Sequence, residues 1–433
     1  MTSIGIIHAT VSSTVSNTGT TFAEVVESDA LTNGTTYHVV CHAIVEGNSS
    51  SLPFEWRMVD RTNSDAVLSN STLIREPTQN GVPQSYYFVG RVTAGSDGGG
   101  LAFEQRASTS LLAIARTQYV SMMIFDLSNM QSTDYVFDND DNDTELTQTM
   151  ASFAAARITS PSEDDTWLMW AWQATATNNT TVNTEMQLHF DDIASQETAP
   201  QISFEGEDLT EVLGWFVSRP FTIDGTPATA TWTIKSRDDG SATQNHHLES
   251  TIFGIRLDAF RDFSATYTGT ETRSTSTDWI ELESSSFTPT HAGDVIVSAY
   301  STYNPDGSTR KSYQRLQVDG TTSPNAQPDS EYSANANDAT DELALGYITK
   351  YTGAALTSAT LDYDVKYGNS VSKGWKEYSL VAFTTELQKM IVYSAVALDT
   401  YNSGDIASQT FASGDVADDT YSSGDVAAEV NPE

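Results

Sequence analysis

Cysteine occurs once in the 433 residues, at Cys41, so no disulfide within the chain can staple the fold. Cys41 sits in a strand-like run, where it reads as a small buried apolar residue. Lysine is nearly as scarce. There are seven lysines among 21 basic residues, set against 58 acidic ones, for a formal net charge of −37. A basic footprint is therefore missing, which argues against nucleic-acid binding and against docking on anionic membrane surfaces. No apolar run approaches the ~20 residues that a membrane-spanning helix needs, so membrane insertion is not expected. The opening segment MTSIGIIHATVSS has neither the charged nor the long apolar region of a secretory signal, and none is expected. Helical periodicity is also rare. The best candidate, Glu145–Arg157 (ELTQTMASFAAAR), reads as a helix or as the entry to a strand.

What the chain has in quantity is strand sequence, and it is organised around Gly293–Gly320. Val295, Val297 and Ala299 alternate with Ile296, Ser298 and Tyr300. Asn304-Pro305-Asp306-Gly307 supplies turn chemistry, and Tyr313, Leu316 and Val318 mark a return limb. A β-hairpin is expected. Comparable pairs of limbs occur at Tyr37–Arg61 and Thr166–Asp192. Longer second hairpins are expected after them, at Tyr86–Arg106, Val212–Arg237 and Leu343–Tyr367. The first members start at Tyr37, Thr166 and Asp294, close to 128 residues apart. With a soft prior of ~150 residues per domain, this predicts an all-β chain of three tandem antiparallel β-sandwich, jelly-roll-like units. The expected spans are 1–128 with a loose lead-in, 129–263 and 264–388. Asn129–Asp143 and Ser264–Ser276 are expected as linkers.

The remaining segment, 389–433, differs from the rest. Thr400–Ala407, Thr410–Ala417 and Thr420–Ala427 repeat an aromatic, a Ser-Gly-Asp turn and a β-branched residue every ten positions. A single extended thread cannot bury its own apolar side chains and needs copies of itself or another surface. Tyr401, Ile406, Phe411, Val416, Tyr421 and Val426 are the expected oligomerisation or anchoring positions. A homotrimer is the first choice.

Residues that could carry chemistry are few. Asp138, Asp140 and Asn142 imitate the start of a Ca²⁺ loop, but Asp143 stands where Gly is needed and no Glu occupies the twelfth position. They are a weak cation site, and no other cofactor is expected. The histidines are scattered: His38 and His42 share a strand face, and His246-His247 reads as an exposed polar loop. No nucleophile elbow, zinc helix or phosphate loop is present, and in so acidic a chain no carboxylate pair stands out. Trp170 and Trp172, two apart, form an aromatic face that fits a sandwich core better than sugar stacking. Glycosylation sequons occur at Asn33, Asn48, Asn70, Asn142, Asn178 and Asn179.

Tandem β-modules, a short-period C-terminal thread, strong acidity and no catalytic motif form a combination that resembles structural proteins of tailed viruses of bacteria or haloarchaea. Head spikes, capsid decoration proteins and tail fibres are of this type. The resemblance implies a non-enzymatic virion protein, made in the host cytoplasm and released on lysis. Its implied partners are other copies of itself, further virion proteins such as the major capsid protein, and a host surface glycan. A receptor- or carbohydrate-binding tail protein is the first alternative, and a glycan-active enzyme the lesser one. The acidity also suits a salt-rich habitat.

Overall fold

β-Branched and aromatic residues fill each long apolar run, and each such run is a strand. The structure is a computed structural model. It describes residues 3–49, 52–75, 84–107, 113–176, 183–191, 196–198, 202–205, 212–238, 245–270, 272–274, 278–290, 293–304, 310–318, 321–322, 330–334, 343–351, 359–367 and 373–388. Residues 389–433, with all six expected thread positions, lie outside the described residues, as does the expected turn at Pro305–Gly307.

The first set of strands is β1 (Gly5–Val11), β2 (Val15–Asn17), β3 (Ala23–Glu27), β4 (Thr36–Gly47), β5 (Phe54–Asp60), β6 (Ala66–Val67), β7 (Leu73–Arg75), β8 (Gln84–Thr93), β9 (Leu101–Ala107) and β10 (Ala115–Asp126). The second is β11 (Tyr135–Asp140), β12 (Thr144–Glu145), β13 (Ala151–Thr159), β14 (Thr166–Ala176), β15 (Asn183–Asp191), β16 (Gln196–Thr198), β17 (Ile202–Glu205), β18 (Val212–Thr222), β19 (Thr229–Asp238) and β20 (His246–Arg256). The third is β21 (Phe263–Thr268), β22 (Thr272–Ser274), β23 (Ile280–Phe287), β24 (Val295–Asn304), β25 (Arg310–Val318), β26 (Thr321–Thr322), β27 (Ser330–Ala334), β28 (Leu343–Tyr351), β29 (Ala359–Tyr367) and β30 (Lys373–Thr384).

Strand order repeats from set to set. One sheet of each set runs β1-β10-β4-β8, β11-β20-β14-β18 or β21-β30-β24-β28. The facing sheet runs β3-β9-β5-β7, β13-β19-β15 with β16 and β17, or β23-β29-β25 with β26 and β27. All pairings among the described residues are antiparallel, and two sheets built in this order make an eight-stranded jelly roll. One bridge, Val212 opposite Ile74, joins the outer sheet of the first set to the inner sheet of the second, giving a ten-stranded sheet.

The expected hairpins are not hairpins. β4 pairs with β10 and β8, whereas β5 pairs with β9, β7 and β6. The same separation holds for β14 and β15, for β24 and β25, and for the longer pairs beginning with β8, β18 and β28. Consecutive limbs cross from one sheet of the sandwich to the other. Alternation tells which face a residue takes, not which strand lies beside it.

The stretches read as linkers are strands as well. β11 runs through Asp138 and Asp140 at a sheet edge, and β21 opens the third set in the same position. The lead-in holds β1, the corresponding edge strand of the first set. Edge strands carry polar and charged residues that block pairing with other chains, which is why they imitate linkers. Ala-rich 151–159 is β13, an edge strand with alternating buried and exposed residues, and not a helix. No helix among the described residues is long and apolar enough to cross a membrane.

Three inner sheets share one core. His38 of β4 stacks on Phe253 of β20 at 4.8 Å, and Tyr87 of β8 stacks on Phe216 of β18 at 4.6 Å. Ser218 of β18 meets Ser298 of β24 at 2.7 Å. Tyr119 of β10 lies 6.1 Å from Tyr347 of β28, and the Gly346 amide donates to the Tyr87 hydroxyl at 2.7 Å. Each inner sheet thus touches both others. A β-carbon at Gly346 would lie 2.7 Å from Phe216 and 3.2 Å from Tyr87, so the close approach of the sheets requires glycine.

The tryptophan face belongs to this shared core rather than to the second sandwich alone. Trp170 packs on Phe125 and Phe253, and Trp172 packs edge-on against Phe88. Trp167, on the opposite strand face, packs on Trp232 inside its own sandwich. All are buried, which removes them as sugar-stacking platforms.

Candidate functional site at the seams between inner sheets

The seams concentrate the unusual chemistry of the molecule. Arg219 sits in β18 within the run FVSRPFT, and its side chain is 4% exposed. Its guanidinium stands 3.5 Å from Glu377 of β30, whose side chain is 0% exposed. The same guanidinium lies 3.9 Å over the ring of Tyr267 on β21 and 4.5 Å over Phe221. Tyr267 donates to the Glu377 carboxylate at 3.0 Å. Burial, with Glu377 beside it, pushes the Tyr300 phenol well above its ordinary range. Around this pair, Trp170 Nε1 donates to Ser298 at 3.3 Å and Ser379 donates to the Ser218 carbonyl at 2.9 Å. The set is a buried polar seam between second and third sandwiches, with an ion pair at its centre. Sequence reasoning missed it. An arginine inside an apolar aromatic run was the available signal, because a buried cation needs a partner.

The expected cation residues lie apart from this seam. Asp138 accepts from the Ala155 amide at 2.6 Å, and Asp140 accepts from the amide and side chain of Asn142 at 3.1 and 2.6 Å. Asp138 and Asp140 stand on an extended strand, not on a loop that wraps an ion. No group of three or more His, Cys, Asp and Glu is placed to hold a metal among the described residues.

No protein-family model matches the sequence, and no curated protein matches it. The chain is similar to a solved structure described as the triple jelly roll fold and turret assembly in an archaeal virus. Identity is 10%, coverage is 86% of this chain and 83% of that one, and the TM-score is 0.20. It is similar to the structure of Sulfolobus Turreted Icosahedral Virus at 10% identity, over 87% and 84% of the two chains, with a TM-score of 0.19. It is also similar to the tandem CBM22 domains of Paenibacillus barcinonensis Xyn10C at 8% identity, over 58% and 91%, with a TM-score of 0.18. Scores this low decide no function for this chain.

The described histidines are held by the fold. His247 is not in an exposed loop: it lies in β20, fully buried, with Nε2 2.6 Å from Ser250 and its ring 3.9 Å from Phe153. His246, partly exposed, pairs with Asp143 at 2.8 Å. His42 stacks on Tyr87 at 4.9 Å, and burial lowers its pKa to about 3. Burial, with Arg91 adding to it, lowers that of His38 to about 4. Both therefore stay neutral in the fold, while an unfolded chain takes up protons near the ordinary value of 6.5. Their contribution to stability is complete above that pH and declines as pH falls toward the folded values. The melting temperature should drop between pH 7 and pH 5.5, and His42→Phe should flatten part of the slope. A melting temperature that is level across this range contradicts the assignment.

Proposed function

We propose that this chain is a non-enzymatic structural protein of a virion, a capsid decoration or spike. On this reading 1–128, 129–263 and 264–388 serve as three fused jelly-roll modules and 389–433 as the thread that joins copies or anchors them. The observation that carries it is the closed set of inner sheets. The described aromatic and ionic groups at the seams are spent on holding modules together, while β13 and β23 present alternating exposed residues outward. That is the economy of a rigid exterior part. Its partners would be copies of itself, with a homotrimer first, and other particle proteins such as the major capsid protein.

Deletion of 391–433 tests the reading. The truncated chain should fold, sediment as a monomer and fail to join purified particles, whereas the full chain should appear in them at a fixed copy number by mass spectrometry. Unchanged oligomeric state together with unchanged incorporation would remove the thread from the proposal, and absence of the full chain from particles would remove the proposal itself. Stability should also rise with salt. Self-repulsion at net −37 eases as the Debye length falls from ~10 Å at 0.1 M to ~3 Å at 1 M. A level or falling melting temperature over that range contradicts this.

A further inference from the structure

The three inner sheets meet in a ring. β8 packs on β14 and β20, β18 on β24 and β30, and β28 on β4 and β10. The last strand of each sheet lies across the two central strands of the next, three times over. Within this pattern the first set stands out by its histidines. His38 and His42 of β4 lie opposite Phe125 and Ser121 of β10, and His8 of β1 lies opposite Met123 of β10. Directly opposed residues share a face, and so do residues two apart along a strand, so the three imidazoles stand on one face of one sheet. That face is the one turned toward the other two sets. The matching strands β14 and β24 carry Trp170 and Trp172, and Ile296, Ser298 and Tyr300, in these rows. The seam between the second and third sets is built instead on Arg219, Glu377 and Tyr267.

Each histidine has surroundings that resist a proton. His38 is closed in by Tyr135 and Phe137 of β11 and Phe253 of β20, with Arg91 of β8 opposite it in the sheet. Its two ring nitrogens are buried without a hydrogen-bond partner. His42 lies between Tyr87 of β8 and Tyr119 of β10. Tyr87 in turn touches Phe216 of the second set and Gly346 of the third. Nε2 of His8 is 2.9 Å from the Ser121 hydroxyl of β10. From the third set it meets the field of Lys350 and Asp294, which pair at 3.0 Å. Burial, then Lys350, lowers the pKa of His8 to about 4, with Asp294 opposing them. Closed seams therefore hold all three rings neutral. Rings released to water would titrate at the ordinary 6.5, so the force closing the seams is complete above that pH and declines as pH falls toward the closed-state values.

We propose that the first set is an acid-released module: protonation of His8, His38 and His42 parts its inner sheet from the other two sets, which stay joined to each other. Charging His8 beside Lys350 and His38 beside Arg91 puts like charges at the parting surfaces. The backbone keeps the released module tethered to the second set. The surfaces that part carry Tyr87, Tyr119, Phe125 and Phe253, so a neutral, closed molecule would present this aromatic area only in acid. The inference stands apart from the virion reading: either can fail alone.

Hydrogen exchange of the full chain at pH 7 and pH 5.5, corrected for the intrinsic effect of pH and resolved by mass spectrometry, tests it. The Ile4 amide donates to the Thr385 carbonyl at 3.0 Å and the Gly346 amide to the Tyr87 hydroxyl, so both report on contact between the third and first sets. Ile74 and Val212 report on contact between the first and second. Protection at these residues should fall by about tenfold for each histidine that opening exposes, up to about 1,000-fold for three. The ladder between β24 and β30 should change by less than about threefold, because the third set stays folded. Hydroxyl-radical labelling should rise at Tyr119 and Phe253 and stay level at Tyr300, which is buried beside Glu377. His8→Phe and His38→Phe should each remove about tenfold of the acid response, and His8→Gln and His38→Gln serve where a phenylalanine variant does not fold. Unchanged protection at Ile4 and Gly346, equal loss in the β24–β30 ladder, equal labelling of Tyr300, or a response indifferent to the histidine substitutions would each overturn the proposal.

Discussion

Glu377→Ala is expected to cost about 3–5 kcal/mol of folding free energy, and Arg219→Ala a similar amount, because each removes the ion-pair partner of a buried charge. Neither residue has solvent to fall back on, at 0% and 4% side-chain exposure. Glu377→Ala also removes the acceptor of the Tyr267 hydroxyl. Replacing both partners with apolar residues of similar volume, as in Arg219→Met with Glu377→Leu, should restore most of the loss. Buried pairs are often no better than well-packed hydrocarbon. Urea denaturation of the two single variants and the double variant measures this directly. If either single substitution costs less than about 1 kcal/mol, or the double costs as much as both singles together, the seam is not held as described.

Trp170→Ala should be as damaging, at about 3–5 kcal/mol. Trp170 is fully buried and is touched by all three sets of strands: Phe125 from the first, Phe253 from its own, and Ser298 from the third. Its loss opens a void where the three inner sheets meet. The expected result is one cooperative transition at lower denaturant, read by far-UV circular dichroism. If the variant instead melts in separate steps with the first near the wild-type midpoint, the sandwiches are energetically independent and the shared core is not what binds them.

The sequence made some of this fold legible and hid the rest for physical reasons. Long apolar limbs at 37–47, 166–176 and 295–304 identify β4, β14 and β24, and their spacing exposes the three-fold pattern. Pairing is not legible, because the contacts that decide it lie between residues such as Met123 and Val40, far apart in the chain. The edge strands β1, β11 and β21 read as lead-in and linkers, since an edge tolerates Asp, Ser and Thr where a central strand does not. His247 read as surface from its polar neighbours, yet a bulge between Ala174 and Thr175 in the register against β14 accompanies its turn inward. At the seams, FVSRPFT announces that Arg219 needs an anion, but nothing nearby in the chain names Glu377.

The closed contact of three inner sheets within a single chain has a consequence for dilution and for divergence. A trimer of separate subunits dissociates as its concentration falls and must use one sequence at every interface. In this chain the core forms by a unimolecular step, so its integrity does not depend on how much protein is present. Each junction is also encoded separately. A mutation at Phe137 leaves Tyr267 untouched, so one junction can drift toward a new role while the others keep the molecule folded.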